Sequence, residues 1–308
     1  MSRLYFILGC TAGGKSALGR ALAAQLGGQI ISVDSMKIYR RMDIGTAKPS
    51  AEARAKILHH CIDLVEPWES FSVAQFVEAA DAAVEQVRQA GAIPLAVGGT
   101  SLYIKALSEG LFEGPGADDQ LRAELAEQAE RHGLASLHAQ LAEVDPEAAG
   151  RIHPNDRKRI FRALEVWKLT GRAITDLQQQ WDDQPDRYEC VFIGLARDKA
   201  EGNRRINRRV KKMVEMGLLD EVKTLWEDPR GISAPAAQAV GYAEIIEHLE
   251  GRCSFDSAVE RIKINTRRLA KKQRTWQRRF RHVQWFDVAA EQTPEHLAER
   301  VLAEVDFR

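Results

Sequence analysis

The sequence predicts an α/β protein built on a parallel sheet, interrupted by an inserted all-helical domain and finished by a helical, basic C-terminal region. Three observations carry that prediction. An apolar run ends in a glycine-rich turn and a helix start. Strands and helices then alternate. The strand signal stops near residue 116 and returns only at 191. Such alternation gives a parallel sheet whose ligands sit at the carboxyl ends of its strands.

Leu4-Tyr5-Phe6-Ile7-Leu8 is the first strand. Gly9-Cys10-Thr11-Ala12-Gly13-Gly14-Lys15-Ser16 follows and fits the phosphate-loop pattern G-x-x-x-x-G-K-[ST]. Leu18, Ala21, Leu22 and Leu26 then recur at helical spacing until Gly27-Gly28 stops the helix. A strand, a glycine-rich turn and a helix N-terminus aim several backbone N–H groups at one place, where they hold phosphate oxygens. Lys15 adds a point charge, and the Ser16 hydroxyl is the candidate ligand for Mg²⁺. The core is therefore P-loop NTPase-like and its ligand phosphorylated. The motif alone leaves open whether that ligand is a nucleotide such as ATP or another diphosphate.

Gln29-Ile30-Ile31-Ser32-Val33 is the second strand and ends at Asp34-Ser35. Ser72 caps a helix whose apolar face is Val73, Phe76, Val77, Ala80, Val84 and Val87, with Gly91 as its stop. Ile93-Pro94-Leu95-Ala96-Val97 follows as a buried strand ending in Gly98-Gly99-Thr100. Residues 119–131 and 134–143 read as helices, and Asn155 as the cap of a helix running to Gly171. Val191-Phe192-Ile193-Gly194-Leu195 returns to the sheet, and 199–226, 235–250 and 255–281 are helical. The expected domains are 1–115 (first part of the core), 116–187 (insertion) and 188–308 (core continuation with basic helices).

At 308 residues, 44% hydrophobic and 29% charged, the chain suits one large or two ordinary globular domains. No apolar stretch is long enough to span a bilayer. Met1-Ser2-Arg3 leads straight into the first strand, so no signal peptide is expected and the cytoplasm is the expected location. Cys10, Cys61, Cys190 and Cys253 are scattered without C-x-x-C pairs, which argues against zinc and against a disulfide framework. Nothing in the sequence requires more than a monomer.

Formal net charge is zero but unevenly spread. Residues 111–150 hold two basic side chains against nine acidic ones, whereas 261–281 hold ten basic side chains and no acidic one. Arg204, Arg205, Arg208, Arg209, Lys211 and Lys212 form a second basic cluster, and Arg157, Lys158, Arg159 and Arg162 a third. Three such runs call for a polyanion to offset their self-repulsion, and nucleic acid is the favoured partner. Trp276 and Phe280 lie among the charges, either as stacking surfaces or as core anchors.

Asp34 and Thr100 both follow apolar strands on the edge that carries the phosphate loop. A carboxylate there either holds Mg²⁺ through water or takes a proton from a nucleophile attacking the phosphorylated ligand. Thr100, after two glycines, is placed to hydrogen-bond a phosphate or bridging oxygen. The Asp-Glu strand end of ATPase motors is absent from the sequence, as are Cys-His and Ser-His arrangements. His59-His60 has no third ligand nearby in sequence and reads as structural.

In this order, the strings resemble the bacterial tRNA dimethylallyltransferase (tRNA isopentenyltransferase) family over nearly the whole chain. They are the phosphate loop, Asp34-Ser35-Met36-Lys37-Ile38-Tyr39, Asp43-Ile44-Gly45-Thr46-Ala47-Lys48-Pro49 and His59-His60-Cys61-Ile62-Asp63. Gly98-Gly99-Thr100-Ser101-Leu102-Tyr103 and Asn155-Asp156-Arg157-Lys158-Arg159-Ile160-Phe161-Arg162-Ala163-Leu164-Glu165-Val166 continue the series. Val240-Gly241-Tyr242 and Thr266-Arg267-Arg268-Leu269-Ala270-Lys271-Lys272-Gln273-Arg274-Thr275-Trp276 close it. Cys10, Gly13 and Lys37 depart from the family pattern, which usually has proline, serine and glutamine there.

The resemblance implies that Gly9, Thr11, Ala12, Gly13, Gly14, Lys15 and Ser16 hold dimethylallyl diphosphate, with Mg²⁺ near Ser16. The dimethylallyl group would pass to the exocyclic amine of the adenosine immediately 3′ of the anticodon. Asp34 would be the base, Arg209 would grip the diphosphate, and Thr100 would orient the diphosphate or the amine. Contacts to the tRNA anticodon stem-loop are implied for Asp34, Ser35, Met36, Lys37, Thr100, Arg122 and Lys158-Arg159-Ile160-Phe161-Arg162. They extend to Gln238-Ala239-Val240-Gly241-Tyr242-Ala243 and Lys271-Lys272-Gln273-Arg274-Thr275-Trp276-Gln277-Arg278. The competing readings are a small-molecule kinase, a nucleotide-gated RNA-binding protein, and an adenylate isopentenyltransferase acting on free nucleotide. None of these has a use for ten basic residues in 261–281 and isoprenyl chemistry together.

Overall fold

Alternating burial fixes the first strand. In β1 (Arg3–Gly9), Leu4, Phe6 and Leu8 pack into one apolar cluster and Tyr5 and Ile7 into another, all of them buried. A strand buried on both faces must be covered by a layer on each side. The computed structural model describes residues 3–111, 114–182 and 187–307. Met1 and Ser2, expected to lead into the first strand, and residues 183–186 near the end of the expected insertion lie outside them.

After the phosphate loop come α1 (Lys15–Leu26), β2 (Gln29–Val33), α2 (Ala51–Lys56), β3 (His59–His60), α3 (Val73–Gln89), β4 (Pro94–Gly98) and α4 (Ser101–Glu109). A run of helices follows: α5 (Asp119–His132), α6 (Leu134–Val144), α7 (Pro146–Arg151), α8 (Arg157–Thr170) and α9 (Ile174–Asp182). The chain then returns through β5 (Glu189–Ala196), α10 (Lys199–Glu215), α11 (Leu218–Trp226), α12 (Ala234–Ala237), α13 (Tyr242–Leu249) and α14 (Phe255–Gln277). It ends with β6 (Gln284–Asp287) and α15 (Pro294–Glu304).

The strands form one parallel sheet in the order β3-β2-β4-β1-β5-β6. Phe6 of β1 pairs in register with Ala96 and Phe192, so the phosphate loop leaves the middle of the sheet. Leu18 and Leu22 of α1 and Leu297, Ala298 and Val301 of α15 cover the face of Tyr5 and Ile7. Phe76, Ala80 and Val84 of α3 and Ile104 and Leu107 of α4 cover the opposite face. Each such fully buried aliphatic or aromatic side chain contributes about 1.5–3 kcal/mol. A third cluster joins α10, α11, α13 and α14 to Ile38, Tyr39 and Met42. No helix of the described residues is long and apolar enough to cross a membrane.

Two compact units result, 1–108 with 188–308, and 109–187. The second starts at Glu109 rather than 116, because α4 ends there and Gly110, at φ 92°, breaks it. Its core is helical, with Leu125, Leu137, Leu141, Ile160, Leu164 and Leu177 buried together.

α3 begins as the sequence predicts. Ser72 Oγ accepts from the Gln75 N–H (3.2 Å), and Gln75 Oε1 accepts from the Ser72 N–H (2.8 Å). This capping box satisfies two otherwise orphaned donors. Other local expectations need correction. The cap of α8 is Asp156, whose Oδ1 accepts from the Arg159 N–H at 3.2 Å, not Asn155. The helical stretch 199–226 breaks at Gly217, a left-handed residue at φ 96°, and 235–250 breaks across 238–241.

Candidate active site and nucleic-acid interface

The loop between β1 and α1 is held by its own backbone and by side chains around it. The Gly13 N–H donates to Cys10 O at 3.0 Å, and Ala12 adopts φ 58°, a conformation L residues avoid unless their surroundings enforce it. Arg205 Nε donates to Ala12 O (3.1 Å) and Arg197 Nε to Gly13 O (3.4 Å). Lys15 Nζ folds back onto Cys10 O at 2.8 Å. The Thr11 N–H is taken by Gln273 Oε1 at 2.7 Å. Thr11 and Gly13, both expected to bind diphosphate, therefore spend their N–H groups inside the protein. The N–H groups of Ala12, Gly14, Lys15 and Ser16 have no partner among the described residues and remain for an anion.

These groups line a cleft of about 1400 Å³ that also receives Ser16, Asp34, Lys37, Thr100, Arg209, Lys272 and Trp276. Strand pairing sets the opposite wall. β2 and β4 are neighbours, so Asp34 and Thr100 emerge side by side. The Ser35 N–H donates to Thr100 Oγ1 (3.0 Å), and the Thr100 hydroxyl donates to Ser35 Oγ (3.3 Å). Asp34 Oδ1 accepts from the Met36 N–H at 3.0 Å, and Oδ2 has no hydrogen bond from the described residues.

The cations of this cleft are poorly solvated. Burial pushes the Lys15 ammonium down to about 8, against the attraction of Cys10 and Asp34. Burial also lowers Lys37 and Arg209, and in both Asp34 opposes the shift. Three desolvated cations around one carboxylate leave net positive charge that calls for an anionic ligand.

Ser16 is exposed at the start of α1, on the same cleft as Asp34. A hydroxyl, a carboxylate and the oxygens of a bound diphosphate suit Mg²⁺, which keeps several waters and needs few protein ligands. Among the described residues, no group of three or more His, Cys, Asp and Glu side chains is placed to hold a metal alone. His59 and His60 are engaged structurally, with Ile57 O (2.7 Å) and Gln29 Oε1 (2.8 Å).

α14 presents two different faces. Lys271, Lys272, Arg278 and Arg279 are exposed, and Lys271, Lys272 and Arg278 have no ion-pair partner among the described residues. Trp276 lines the cleft with the Arg279 guanidinium 5.0 Å from its ring, whereas Phe280 stacks on Phe192 at 5.5 Å and belongs to the core. Gln273 and Gln277, expected to touch tRNA, spend their amides on the protein backbone, Gln273 half-buried at the cleft wall and Gln277 in the core. Gln273 Nε2 donates to Gly99 O (3.0 Å), and Gln277, 1% exposed, donates to Gly9 O (3.0 Å). Ile160 and Tyr242 are likewise fully buried, hence unavailable to RNA, and Ala239 is nearly so although it borders the cleft. A recognition string on a helix includes the residues that anchor it.

Tyr242 has a different task. Its hydroxyl donates to Glu221 Oε1 (2.6 Å), and that carboxylate also accepts from the N–H groups of Asp43 (2.9 Å), Ile44 (2.7 Å) and Gly45 (3.0 Å). A Cβ at Gly45 would lie 2.4 Å from the Tyr242 ring, so only glycine fits. Gln238 and Val240 border the cleft on the turn before α13, held by Glu244, which accepts from the Gly241 N–H at 2.7 Å.

In the helical unit, Arg122 and Arg162 converge on one carboxylate. Glu165, fully buried, accepts from Arg122 Nε (2.8 Å) and Nη2 (3.1 Å), Arg162 Nη1 (2.7 Å) and the Asp118 N–H (2.9 Å). Burial alone would raise this carboxyl, but the hydrogen bonds from Arg122, Asp118 and Arg162 hold it below its ordinary value. These two arginines, expected at tRNA, already have a partner. Arg157, Lys158 and Arg159 are exposed in the first turn of α8, with Arg157 4.9 Å over the half-buried Phe161 ring.

Sequence reasoning missed Glu221 and the Lys48–Asp63 pair (2.5 Å), whose ammonium is 2% exposed, and it gave Gln277 to tRNA rather than to the Gly9 carbonyl. A polar side chain continuing the apolar stripe Ala258, Ile262, Ala270 at helical spacing was the available signal for Gln277.

Open N–H donors beside under-compensated cations have a chemical use in binding polyphosphate, and the parallel sheet behind them places the protein in the P-loop class. Comparison gives the particular family. The IPP transferase family model matches residues 37–280, and the chain belongs to that family. It is 45% identical to a tRNA dimethylallyltransferase of Geobacter metallireducens over 286 residues, 93% of each protein. A full-length tRNA isopentenylpyrophosphate transferase from Bacillus halodurans superposes with a TM-score of 0.71 at 39% identity, covering 98% of this chain and 96% of that one. A eukaryotic dimethylallyltransferase acting on tRNA gives a TM-score of 0.80 at 26% identity, covering 98% and 78%.

Proposed function

We propose that this chain transfers the dimethylallyl group of dimethylallyl diphosphate to the N6 amine of the adenosine immediately 3′ of the anticodon in tRNA, releasing diphosphate. The observation that carries this reading is a single cleft. It joins a phosphate loop with open N–H donors, the free Oδ2 of Asp34, and the basic α14 face with Lys272 and Trp276.

The chemistry follows from the charges. As the allylic C–O bond breaks, negative charge grows on the diphosphate. The loop N–H groups, Lys15 and Arg209, which line the same cleft, stabilise it. The adenine amine forms the new C–N bond, and Asp34 accepts the proton it sheds. Thr100, fixed by Ser35, orients the incoming amine or the bridging oxygen. Mg²⁺ at Ser16 would supply further charge neutralisation to the leaving diphosphate. The target base leaves the anticodon stack to reach Asp34, with Trp276 as a stacking surface at the cleft wall. Lys271, Lys272 and Arg278, together with Arg157, Lys158 and Arg159 on the helical unit, meet the RNA backbone. The protein acts as a monomer in the cytoplasm.

The test is transfer of labelled dimethylallyl from its diphosphate to unmodified tRNA with Mg²⁺, with AMP as competing acceptor and no ATP. Label at the adenosine beside the anticodon is expected. Label only in AMP, or no transfer with ATP consumed when added, would overturn the reading in favour of a free-nucleotide enzyme or a kinase.

A further inference from the structure

We propose that Gln273 is a positioning residue for the diphosphate donor rather than a contact for tRNA, an inference that rests on the transferase reading above. Its side-chain amide is used at both ends. Oε1 accepts from the Thr11 N–H at 2.7 Å, and Nε2 donates to Gly99 O at 3.0 Å. One amide thus ties together the loops that follow β1 and β4, the two strand ends that carry the phosphate loop and Thr100.

Two further observations show that the tie is built in. A Cβ on Gly99 would lie 2.5 Å from Gln273 Nε2, so the backbone there is kept bare for this amide. The same position lies 3.5 Å from Lys15 Nζ, which puts the amide beside the ammonium that faces the anion. One helical turn on, Gln277 Nε2 donates to Gly9 O at 3.0 Å. α14 therefore grips the loop on both sides of Cys10.

The consequence is directional. With the Thr11 N–H turned away towards Gln273, the loop is held with Ala12 at φ 58°, and the N–H groups of Ala12, Gly14, Lys15 and Ser16 stay available to the ligand. A donor bound there keeps a fixed register with Thr100, because the Gly99 carbonyl is held by the same side chain. Lys271, Lys272 and Arg278, on the exposed side of the helix, are the groups that meet the polyanion. Gln273 prepares the loop without touching RNA.

Gln273→Leu removes both bonds while filling similar space. Gln273→Glu keeps an acceptor for the Thr11 N–H but cannot donate to Gly99 O. Binding of inorganic diphosphate without tRNA is read by calorimetry, and steady-state kinetics give KM for dimethylallyl diphosphate separately from kcat. Filter binding gives tRNA affinity against salt. For Gln273→Leu we expect diphosphate affinity to fall, and KM to rise, by about tenfold or more. The tRNA affinity and its salt slope should stay within about twofold of the parent. Gln273→Glu should recover part of the loss. If Gln273→Leu does not fold, judged by its melting curve, Gln273→Glu and the shorter Gln273→Asn read the same quantities. Unchanged diphosphate affinity in the variants overturns the proposal, and a selective loss of tRNA binding would make Gln273 an RNA contact. If the parent itself fails to bind inorganic diphosphate, the donor reading falls first and this inference with it.

Discussion

Lys15 offers a direct measure of how far the phosphate loop is prepared for an anion. Burial brings its ammonium down from 10.5 to about 8, so folding disfavours the charged form of this side chain. At 1.36 kcal/mol per pKa unit the cost is about 3 kcal/mol. The folded value is the lower one, so the penalty is complete below pH 8 and disappears as pH rises from there towards 10.5. Lys15→Met keeps the length of the side chain and removes the charge. It also loses the bond to Cys10 O, worth about 1 kcal/mol. The variant should be more stable than the parent at pH 7 by about 2 kcal/mol, or about 4 °C in melting temperature. Its transfer activity should be lost. Urea titrations at pH 7 and pH 10 test this: the stability gap should close at the higher pH. A variant less stable than the parent at pH 7 would refute the reasoning, since the ammonium would then be stabilised by its surroundings and not held in waiting. In the parent, affinity for dimethylallyl diphosphate should decline above pH 8 for the same reason.

Four other variants separate chemistry, RNA binding and architecture. Asp34→Asn should cut turnover by about two orders of magnitude or more with tRNA affinity retained, and single-turnover kinetics near the parent rate would remove Asp34 from the base role. Lys271→Ala with Lys272→Ala should weaken tRNA binding and flatten its salt dependence while sparing diphosphate affinity, as filter binding between low and moderate salt would show. Arg122→Ala should destabilise the helical unit by about 3 kcal/mol by stripping a bidentate partner from buried Glu165. That carboxyl is held below its ordinary value of 4.5, so its contribution is present above that pH and the penalty should narrow in acid as it protonates. Tyr242→Phe should lower the denaturation midpoint by the equivalent of about 2 kcal/mol and leave tRNA affinity unchanged, because the hydroxyl bonds Glu221 and not RNA.

What the sequence disclosed follows from how each signal is encoded. β1, α1, β2, α3 and β4 were legible because their apolar runs are bounded by residues with a backbone role, such as Gly27 after α1 and Ser72 before α3. β3 is two histidines long, and β6 keeps Trp285 exposed, so neither carries a burial pattern. Asn155 and Asp156 are both good caps, and only the bond to the Arg159 N–H decides between them. At the site, Lys15, Asp34 and Thr100 were legible because motif and strand end fix their place along the chain. The direction of a side chain on a helix is not encoded that way. Charge counting grouped Arg162 with exposed basic side chains, and the resemblance placed Arg122 at tRNA, although both answer one buried glutamate. Gln273 and Gln277 carry no charge to count, and their meaning depends on which face of α14 meets the sheet.

The loop at 43–45 repeats, closed, what the phosphate loop does open. Three successive N–H groups of Asp43, Ile44 and Gly45 surround a carboxylate that the protein provides for itself, Glu221. Such an N–H concavity, or nest, binds any anion of suitable size. Here the anion is covalently part of the chain, so this segment carries its own counter-charge. The phosphate loop is held from behind by the amides of Gln273 and Gln277 and by the guanidiniums of Arg197 and Arg205. One nest is a rivet and the other a socket, and which is which depends on a single glutamate.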